Sequence, residues 1–487
     1  MNTLSRRSFL KSSAVTTAAL SLPVHSWAQV PGSNDDIRLA VVGFHGQGKS
    51  HINGFRQIKG VRVVALCDVD RNVLEGAAKP FRDRNEPIET FTDVRKLLEN
   101  KNIDAITTAT PNHWHALISV WACQAGKDVY VEKPVSHNVW EGRKIVEAAR
   151  KYNRIVQTGT QNRSRSALRE AFQWLKEGNL GKIQVARGLC YKRRPSIGKV
   201  DGPQPVPASI DYDLWCGPAP KVPLMRKSLH YDWHWVWATG CGDIGNQGIH
   251  QMDVARWALG KNAVSPRVFS IGGRFGYIDD GETPNTQFVV HDYGDALLIF
   301  EVRGLPSKPA EEVAEADGSK SKKEAMDKYR GESVGVVVEC EGGYLADTTA
   351  HDHDGKVVKQ FKGGENHHQN FIKAVRSRRV ADLNADILEG HLSSALCHTG
   401  NISYRLGQQA SQEEIREALK SDKAALETLG RFEEHLAVNK VDLKLSKATL
   451  GPFLRMDAKA ERFIDNAKAN ALLTREYRKP FVVPEKV

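Results

Sequence analysis

Cysteine is sparse in this chain and badly placed for joint work. The seven, at 67, 123, 190, 216, 241, 340 and 397, are far apart and include no Cys-x-x-Cys pair, so no zinc or dithiol redox motif follows from them. An odd number leaves at least one thiol unpaired, and most are expected to be small core residues, with 67 and 123 in segments patterned like buried strand and helix. Beyond residue 28 there is no apolar run near the length a bilayer needs, which excludes a helical membrane span in the body of the chain. Nor is positive charge concentrated. The net charge of +11 drops to +8 without the first 28 residues, whose only charges are Arg6, Arg7 and Lys11, and the remaining bases are scattered among acids, so a nucleic-acid partner is not expected. No internal repeat is visible. What is present, 487 residues of 40% hydrophobic and 26% charged composition, is that of a multidomain globular protein with enough chain for two substantial cores.

The N-terminus carries an address. Ser5-Arg6-Arg7-Ser8-Phe9-Leu10-Lys11 precedes a mildly hydrophobic run over 14–22 and small residues around Ser26-Trp27-Ala28, the order of elements in a twin-arginine export signal over 1–28. A basic arm on a cytoplasmic protein is the alternative, and it leaves that order unexplained. The reading predicts a periplasmic protein with the twin-arginine machinery as a partner. That route moves folded chains, so a cofactor loaded in the cytoplasm would travel inside its protein.

Residues 37–42 form an apolar strand that runs into Gly43-Phe44-His45-Gly46-Gln47-Gly48. A second strand over 62–66 closes on Asp68, 25 positions after Gly43. Glycines let the backbone turn tightly, so that the following helix aims free N–H groups at a pyrophosphate while the acid meets ribose hydroxyls. Aligning the first and last glycines puts His45 where a middle glycine usually stands, with Gly46 as its substitute and His45 as a cofactor contact or a tolerated bulk. Asp68 is followed by Val69 rather than arginine, which favours NAD over NADP, with Arg71 close enough to weaken the preference.

Strand-like runs over 104–109, 129–131 and 155–158 alternate with helical patterns over 116–125 and from Asn138 to about 152, where Asn138 and Glu141 resemble a capping box. The alternation predicts a doubly wound parallel sheet over 35–160, with Gly43, Asp68, Thr110, Pro111 and Lys133 at the carboxyl ends of its strands. Past 160 the runs 183–191, 268–274, 287–293, 296–302, 334–340 and 344–347 have few helices between them. They predict an α+β unit over 161–487 with a large, mainly antiparallel sheet, one face free for a partner, and a mobile excursion over 304–331.

Val41-Val42-Gly43, Cys67-Asp68-Val69-Asp70, Ala109-Thr110-Pro111-Asn112-His113-Trp114-His115, Ala125-Gly126-Lys127-Asp128-Val129-Tyr130-Val131-Glu132-Lys133-Pro134 and Gly181-Lys182-Ile183 together resemble the glucose-fructose oxidoreductase, inositol dehydrogenase and MocA family. The likeness runs from 37 to 484, and Tyr477-Arg478-Lys479-Pro480-Phe481 resembles the exported bacterial members. The resemblance implies an N-terminal Rossmann domain, a second domain with an open sheet, and a sugar or polyol held between nicotinamide and sheet. Its motifs add Gln47, Asn112, His115 and Glu132 to the cofactor residues, and it implies that Lys133 touches both substrate and cofactor. Subunit pairing through the open sheet, and hence a homo-oligomer, is implied as well.

Chemistry agrees on Lys133: an ammonium beside a secondary alcohol stabilises the charge that develops as hydride leaves. On a helix, Asn246, His250 and Asp253 share one face, and His250 is a natural proton acceptor there. Relatives often carry an aspartate where Asn246 stands, so proton relay by the usual pair is in doubt, with Asp243 or Asp253 as candidate substitutes. Tyr231, Asp232 and His234, in an aromatic run whose Trp235 and Trp237 alternate like a strand face, are candidate sugar contacts, as is Arg163; core packing is the competing use of the tryptophans. His351-Asp352-His353-Asp354 reads as a solvated turn, and no metal site is expected.

Because the periplasm supplies no soluble nicotinamide cofactor, a retained molecule has to be regenerated within each cycle. Three readings stay open: oxidoreduction of a sugar or sugar derivative, NAD-assisted glycoside cleavage by oxidation, elimination, hydration and reduction, and non-catalytic carbohydrate binding.

Overall fold

The computed structural model describes residues 36–308 and 325–487. The export signal read over 1–28 and residues 309–324 of the expected excursion lie outside the described residues. The excursion's flanks are tied down: the Ser307 N–H donates to the Ala325 carbonyl at 2.9 Å.

The first unit is built from β1 (Ile37–Val42), α1 (Gly48–Arg56), β2 (Val61–Cys67), α2 (Arg71–Arg82), β3 (Glu89–Phe91), α3 (Val94–Glu99), β4 (Ala105–Thr108), α4 (Asn112–Gln124), β5 (Asp128–Val131), α5 (Val139–Lys151) and β6 (Val156–Thr158). Its strands form one sheet in the order β3-β2-β1-β4-β5-β6, every neighbouring pair parallel. Along β1, Leu39 and Val41 enter one apolar cluster while Ala40 and Val42 enter the other, the period-two alternation of a strand buried on both faces. The strand order reverses between β1 and β4, and a crevice opens at their carboxyl ends. At the start of α5 the Asn138 side chain accepts the Glu141 N–H at 2.9 Å, whereas the Glu141 carboxylate accepts from His137, one residue earlier than a capping box requires.

The second unit runs through α6 (Ser166–Lys176), β7 (Ile183–Tyr191), α7 (Tyr212–Cys216), α8 (Gly242–Asn246), α9 (Gly248–Ala258), β8 (Arg267–Gly273), β9 (Thr286–Asp292), β10 (Leu297–Arg303), β11 (Val334–Cys340), β12 (Gly343–Ala346), β13 (Thr349–His351) and β14 (Val357–Gln360). After α10 (His367–Ser377) and α11 (Ile387–Arg405) come β15 (Gln408–Ala410), α12 (Gln412–Leu419), α13 (Lys423–Val438), β16 (Ala448–Leu450), β17 (Leu454–Asp457), β18 (Arg462–Phe463) and α14 (Ala467–Ala471). The sheet order is β14-β13-β12-β11-β7-β10-β9-β8-β16-β15, with β17 joining β8 to β18. Its pairings are antiparallel except β10 on β7.

Helices α9 and α11 cover one face, packing Ile249, Met252 and Leu396 with Leu298, Phe300 and Val338. The opposite face, expected to be free for a partner, is not left wholly so. Ile415, Leu419, Leu429, Phe432 and Leu436 of α12 and α13 pack with Phe269, Ile271, Phe288, Val290 and Ile299, so the chain covers β8–β10 itself. Two late segments return to the first unit: α10 adds Phe371 and Ile372 to one of its cores, and Phe481 and Val483 enter the other.

Candidate active site

At Gly43 the chain leaves β1 with φ +73°, and a Cβ there would stand 2.8 Å from Thr110 Cγ2. Gly48 lies so tightly under the turn that a Cβ would meet the Gly43 carbonyl oxygen at 2.1 Å. Gly46 is different, because a Cβ there would touch nothing within 4 Å. The outer glycines are therefore required by packing, and the loop between them borders a cleft of ≈ 630 Å³. Gly43, His45, Gly46, Gln47, Asp68, Thr110, Pro111, Asn112, His115, Glu132 and Lys133 line it from the first unit; Tyr231, His234, Asn246 and His250 line it from the second. Gly48 stays behind the loop.

Asp68 accepts the Phe44 N–H on one oxygen and the Asp70 N–H on the other, each at 3.0 Å, while burial raises its pKa against those bonds. The Arg71 guanidinium is turned onto the Ala208 carbonyl at 2.8 Å. His115, fully buried, places its ring nitrogens 2.6 Å from the Pro134 carbonyl oxygen and 2.8 Å from that of Thr110, bracing the turns that follow β4 and β5. Asn112 Oδ1 is buried with no hydrogen-bond partner.

β5 delivers Glu132 and Lys133 to the crevice. Glu132 Oε1 lies 3.0 Å from His51 Nε2, and Thr107 Oγ1 lies 2.5 Å from His51 Nδ1. Burial opposes ionisation of Glu132, but His51 and the charge of Lys133 override it and bring the pKa down to about 2. Lys133 Nζ donates to the backbone carbonyl of Asn246 at 3.1 Å. Its pKa is lowered by burial, with Glu132 opposing the shift. His250 falls to about 3 through burial and then the charge of Lys133, so its imidazole is neutral and able to accept a proton.

The predicted helical face comes apart. Asn246 closes α8, His250 lies in the first turn of α9, and Asp253 faces the interior. Asp253 is taken by Arg163, whose Nε lies 2.9 and 2.8 Å from the two carboxylate oxygens, and by Ser393 at 2.7 Å. Arg163, only 6% exposed, is thus a clamp between the turn after β6 and α9 rather than a substrate contact. Asp243 is also buried, gripping Arg194 at 2.6 and 2.9 Å, and Arg194 donates to the Tyr231 hydroxyl at 2.9 Å. It reaches the cleft indirectly, through those two residues and through the Gln247 N–H, which it accepts at 3.4 Å. Asp232, half-buried, does not line the cleft.

Residues 192–240 make a strap that sequence reasoning missed. The strap leaves β7 at Lys192, crosses to the first unit and pairs with it: Arg71 donates to the Ser209 carbonyl at 2.9 Å, Asp211 to that of Val69 at 3.2 Å, and Trp114 Nε1 to that of Leu214 at 3.0 Å. Ile210, Trp215, Leu224 and Leu229 form a small core of their own with Val69 at its edge. The His230 ring stacks on His45 with centroids 4.0 Å apart, while its Nε2 lies 3.1 Å from Asp70 Oδ2. His234 stacks on Trp233 at 3.6 Å, and Trp235 is buried beneath Arg194. Lys192 is a further cleft residue that no spacing rule marked, and its Nζ donates to Gln247 Oε1 at 2.8 Å. His351 and His353 meet the backbone carbonyls of Gly355 and Glu341 at 3.0 and 2.8 Å.

A family model described as "Oxidoreductase family, NAD-binding Rossmann fold" matches residues 37–160, and one described as "Oxidoreductase family, C-terminal alpha/beta domain" matches 180–294. Residues 3–23 match the twin-arginine translocation pathway signal sequence, so the chain is exported to the periplasm by that route. No helix among the described residues is long and apolar enough to cross a membrane. A glycosyl hydrolase family 109 protein of Shewanella baltica (strain OS185) is 30% identical over 172 residues, 31% of this chain and 38% of that protein. Similar folds occur in the WlbA dehydrogenase from Bordetella pertussis in complex with NADH and UDP-GlcNAcA (TM-score 0.53, 19% identity, 74% of this chain and 94% of that one) and an oxidoreductase domain protein from Kribbella flavida (TM-score 0.54, 18% identity, 75% and 96%). One of the two oxidoreductase models falls on the glycine turn, Asp68 and Lys133 and the other on Asn246 and His250, and the protein belongs to the Gfo/Idh/MocA family.

Proposed function

We propose that this protein is an NAD-dependent oxidoreductase that acts on a sugar or sugar derivative and keeps its dinucleotide from one turnover to the next. The observation that carries the reading is the meeting of the glycine turn, Asp68, Lys133 and His250 on a single cleft. The residues fit a dinucleotide. Open space over Gly46 admits a pyrophosphate beside the start of α1, Asp68 suits ribose hydroxyls, and the partnerless Asn112 Oδ1 is a buried acceptor awaiting a donor. With Arg71 turned away from Asp68, a free ribose 2′-hydroxyl is favoured, hence NAD over NADP. Held by the glycine turn, Asp68 and Lys133, a nicotinamide would supply the hydride acceptor for a carbinol carbon and the hydride donor for the return step. Lys133 holds positive charge at the reacting oxygen, steadied by the Asn246 carbonyl, with the ionised Glu132 behind it. His250 takes the hydroxyl proton as the oxyanion forms. Tyr231, Trp233 and His234 offer ring faces to sugar C–H groups.

A second reading, redox-neutral glycoside cleavage, is favoured by the glycosyl hydrolase family 109 relatives and by Asn246, which supplies no carboxylate to His250. Oxidation at one carbon acidifies the neighbouring C–H, the aglycone leaves by elimination, and water addition and reduction complete the cycle. Periplasmic protein offered sugars and glycosides, with the absorbance of its bound nicotinamide followed, separates the readings. Net reduction is the expected result. Aglycone release without net reduction would replace it with the glycosidase reading, and binding without either would leave a carbohydrate-binding protein.

A further inference from the structure

Beside His250 a second cavity of ≈ 330 Å³ opens between α6, α9 and the start of β11. It shares Gln161, Gln247 and His250 with the main cleft, so these three residues border both spaces. Its further walls are polar: Asn162 and Arg165 from the turn after β6, Gln251 from α9, and Asp347 after β12. Arg165 and Asp347 form a bidentate pair at 2.7 Å for each bond, with side chains 37% and 38% exposed. Such a pair uses two of five guanidinium N–H groups and part of the carboxylate's acceptor capacity, leaving donors and acceptors for hydroxyls. Leu168, Val254 and Val336 supply aliphatic surface. Hydroxyl-matching groups around an aliphatic floor suit a pyranose ring. The Arg165 charge is already met by Asp347, and Glu332 is near enough to that carboxylate for its own pKa to be raised by burial and by Asp347, so an anionic group gains nothing here.

We propose that this cavity is a second sugar subsite: the substrate is a neutral glycoside with one ring at Lys133 and His250 and its neighbour, across the glycosidic bond, beside Arg165, Asp347 and Asn162. The proposal rests on the oxidoreductase or glycosidase reading and narrows its substrate class to disaccharides and longer glycosides. The test compares methyl glycopyranosides of hexoses with disaccharides carrying the same non-reducing ring, on the holoenzyme, by nicotinamide absorbance and aglycone release. The wild type is expected to prefer disaccharides by roughly tenfold in kcat/KM, mainly through KM. Val334→Trp, which fills the cavity from β11 without touching the main cleft, and Asn162→Ala, which keeps the fold if the larger residue does not, are expected to erase that preference and leave methyl glycoside kinetics unchanged. Equal kcat/KM for the two sugar classes in the wild type, or a preference surviving in a folded variant, would overturn the subsite alone. No turnover with any sugar would overturn the reading beneath it as well.

Discussion

The charge of Lys133 helps to keep His250 neutral. Burial penalises both, and with the proton on the lysine the imidazole stays neutral down to about pH 3. A depressed histidine is in its working, proton-accepting form at every pH above its pKa, so turnover of the wild type should show no acid limb near 6.5. In Lys133→Ala the rate is expected to fall by about 10²–10⁴-fold, and the remaining activity should acquire an acid limb at higher pH, because one of the effects depressing His250 is gone. A pH–rate profile of each protein reads this, and an unmoved limb would refute the influence of Lys133 on His250. Lys133 was legible because its motif ends a strand at the edge where ligands bind. Arg163 and Asp253 were not, since their spacing gives no sign that they neutralise each other inside the protein, where a charge persists only with a partner.

The strands and helices of the first unit that the sequence marked match their signals to within a few residues, because strand alternation, the glycine turn and the Asn138 cap are decided by near neighbours, whereas α2, β3 and α3 carried no signal of their own. The strap follows other rules. With only α7 and single turns of regular structure, it is held by backbone pairing to β2's exit and by the stacked His45 and His230 rings. Its aromatic run was conspicuous in the sequence, yet nothing there showed that it crosses to the other unit. His230→Ala removes the ring stack and the Asp70 contact, about 1.5 kcal/mol of closure. Bound dinucleotide should survive dialysis of the wild type and leave the variant roughly tenfold faster, measured as ultraviolet absorbance of the released ligand. Equal release rates would mean that the strap does not hold the nucleotide.

For the molecule as a whole, the proposed retention of the cofactor requires export in the folded state, which the twin-arginine signal provides. Changing Arg6 and Arg7 together to lysine should leave the precursor in the cytoplasm, still carrying its dinucleotide, and empty the periplasmic fraction of holoprotein. Cell fractionation with nucleotide analysis reads this directly, and undiminished periplasmic holoprotein would point to another export route. The α12–α13 pair changes what the exterior offers. Subunit pairing was expected on an open sheet, but the surface over β8–β10 is spent inside one chain.

By itself the sequence determined the export address, the parallel nucleotide-binding unit and the residues at its carboxyl edge, all of which depend on patterns spanning a few tens of residues at most. Tertiary structure alone decided which charges line the cleft and which are consumed in burial. Asp253 comes to Arg163 from 90 positions away and His230 to Asp70 from 160, and nothing local to either partner encodes the meeting. The covering of the large sheet was settled in the same way, when apolar stripes on α12 and α13 found a face whose strands lie far from them in the chain.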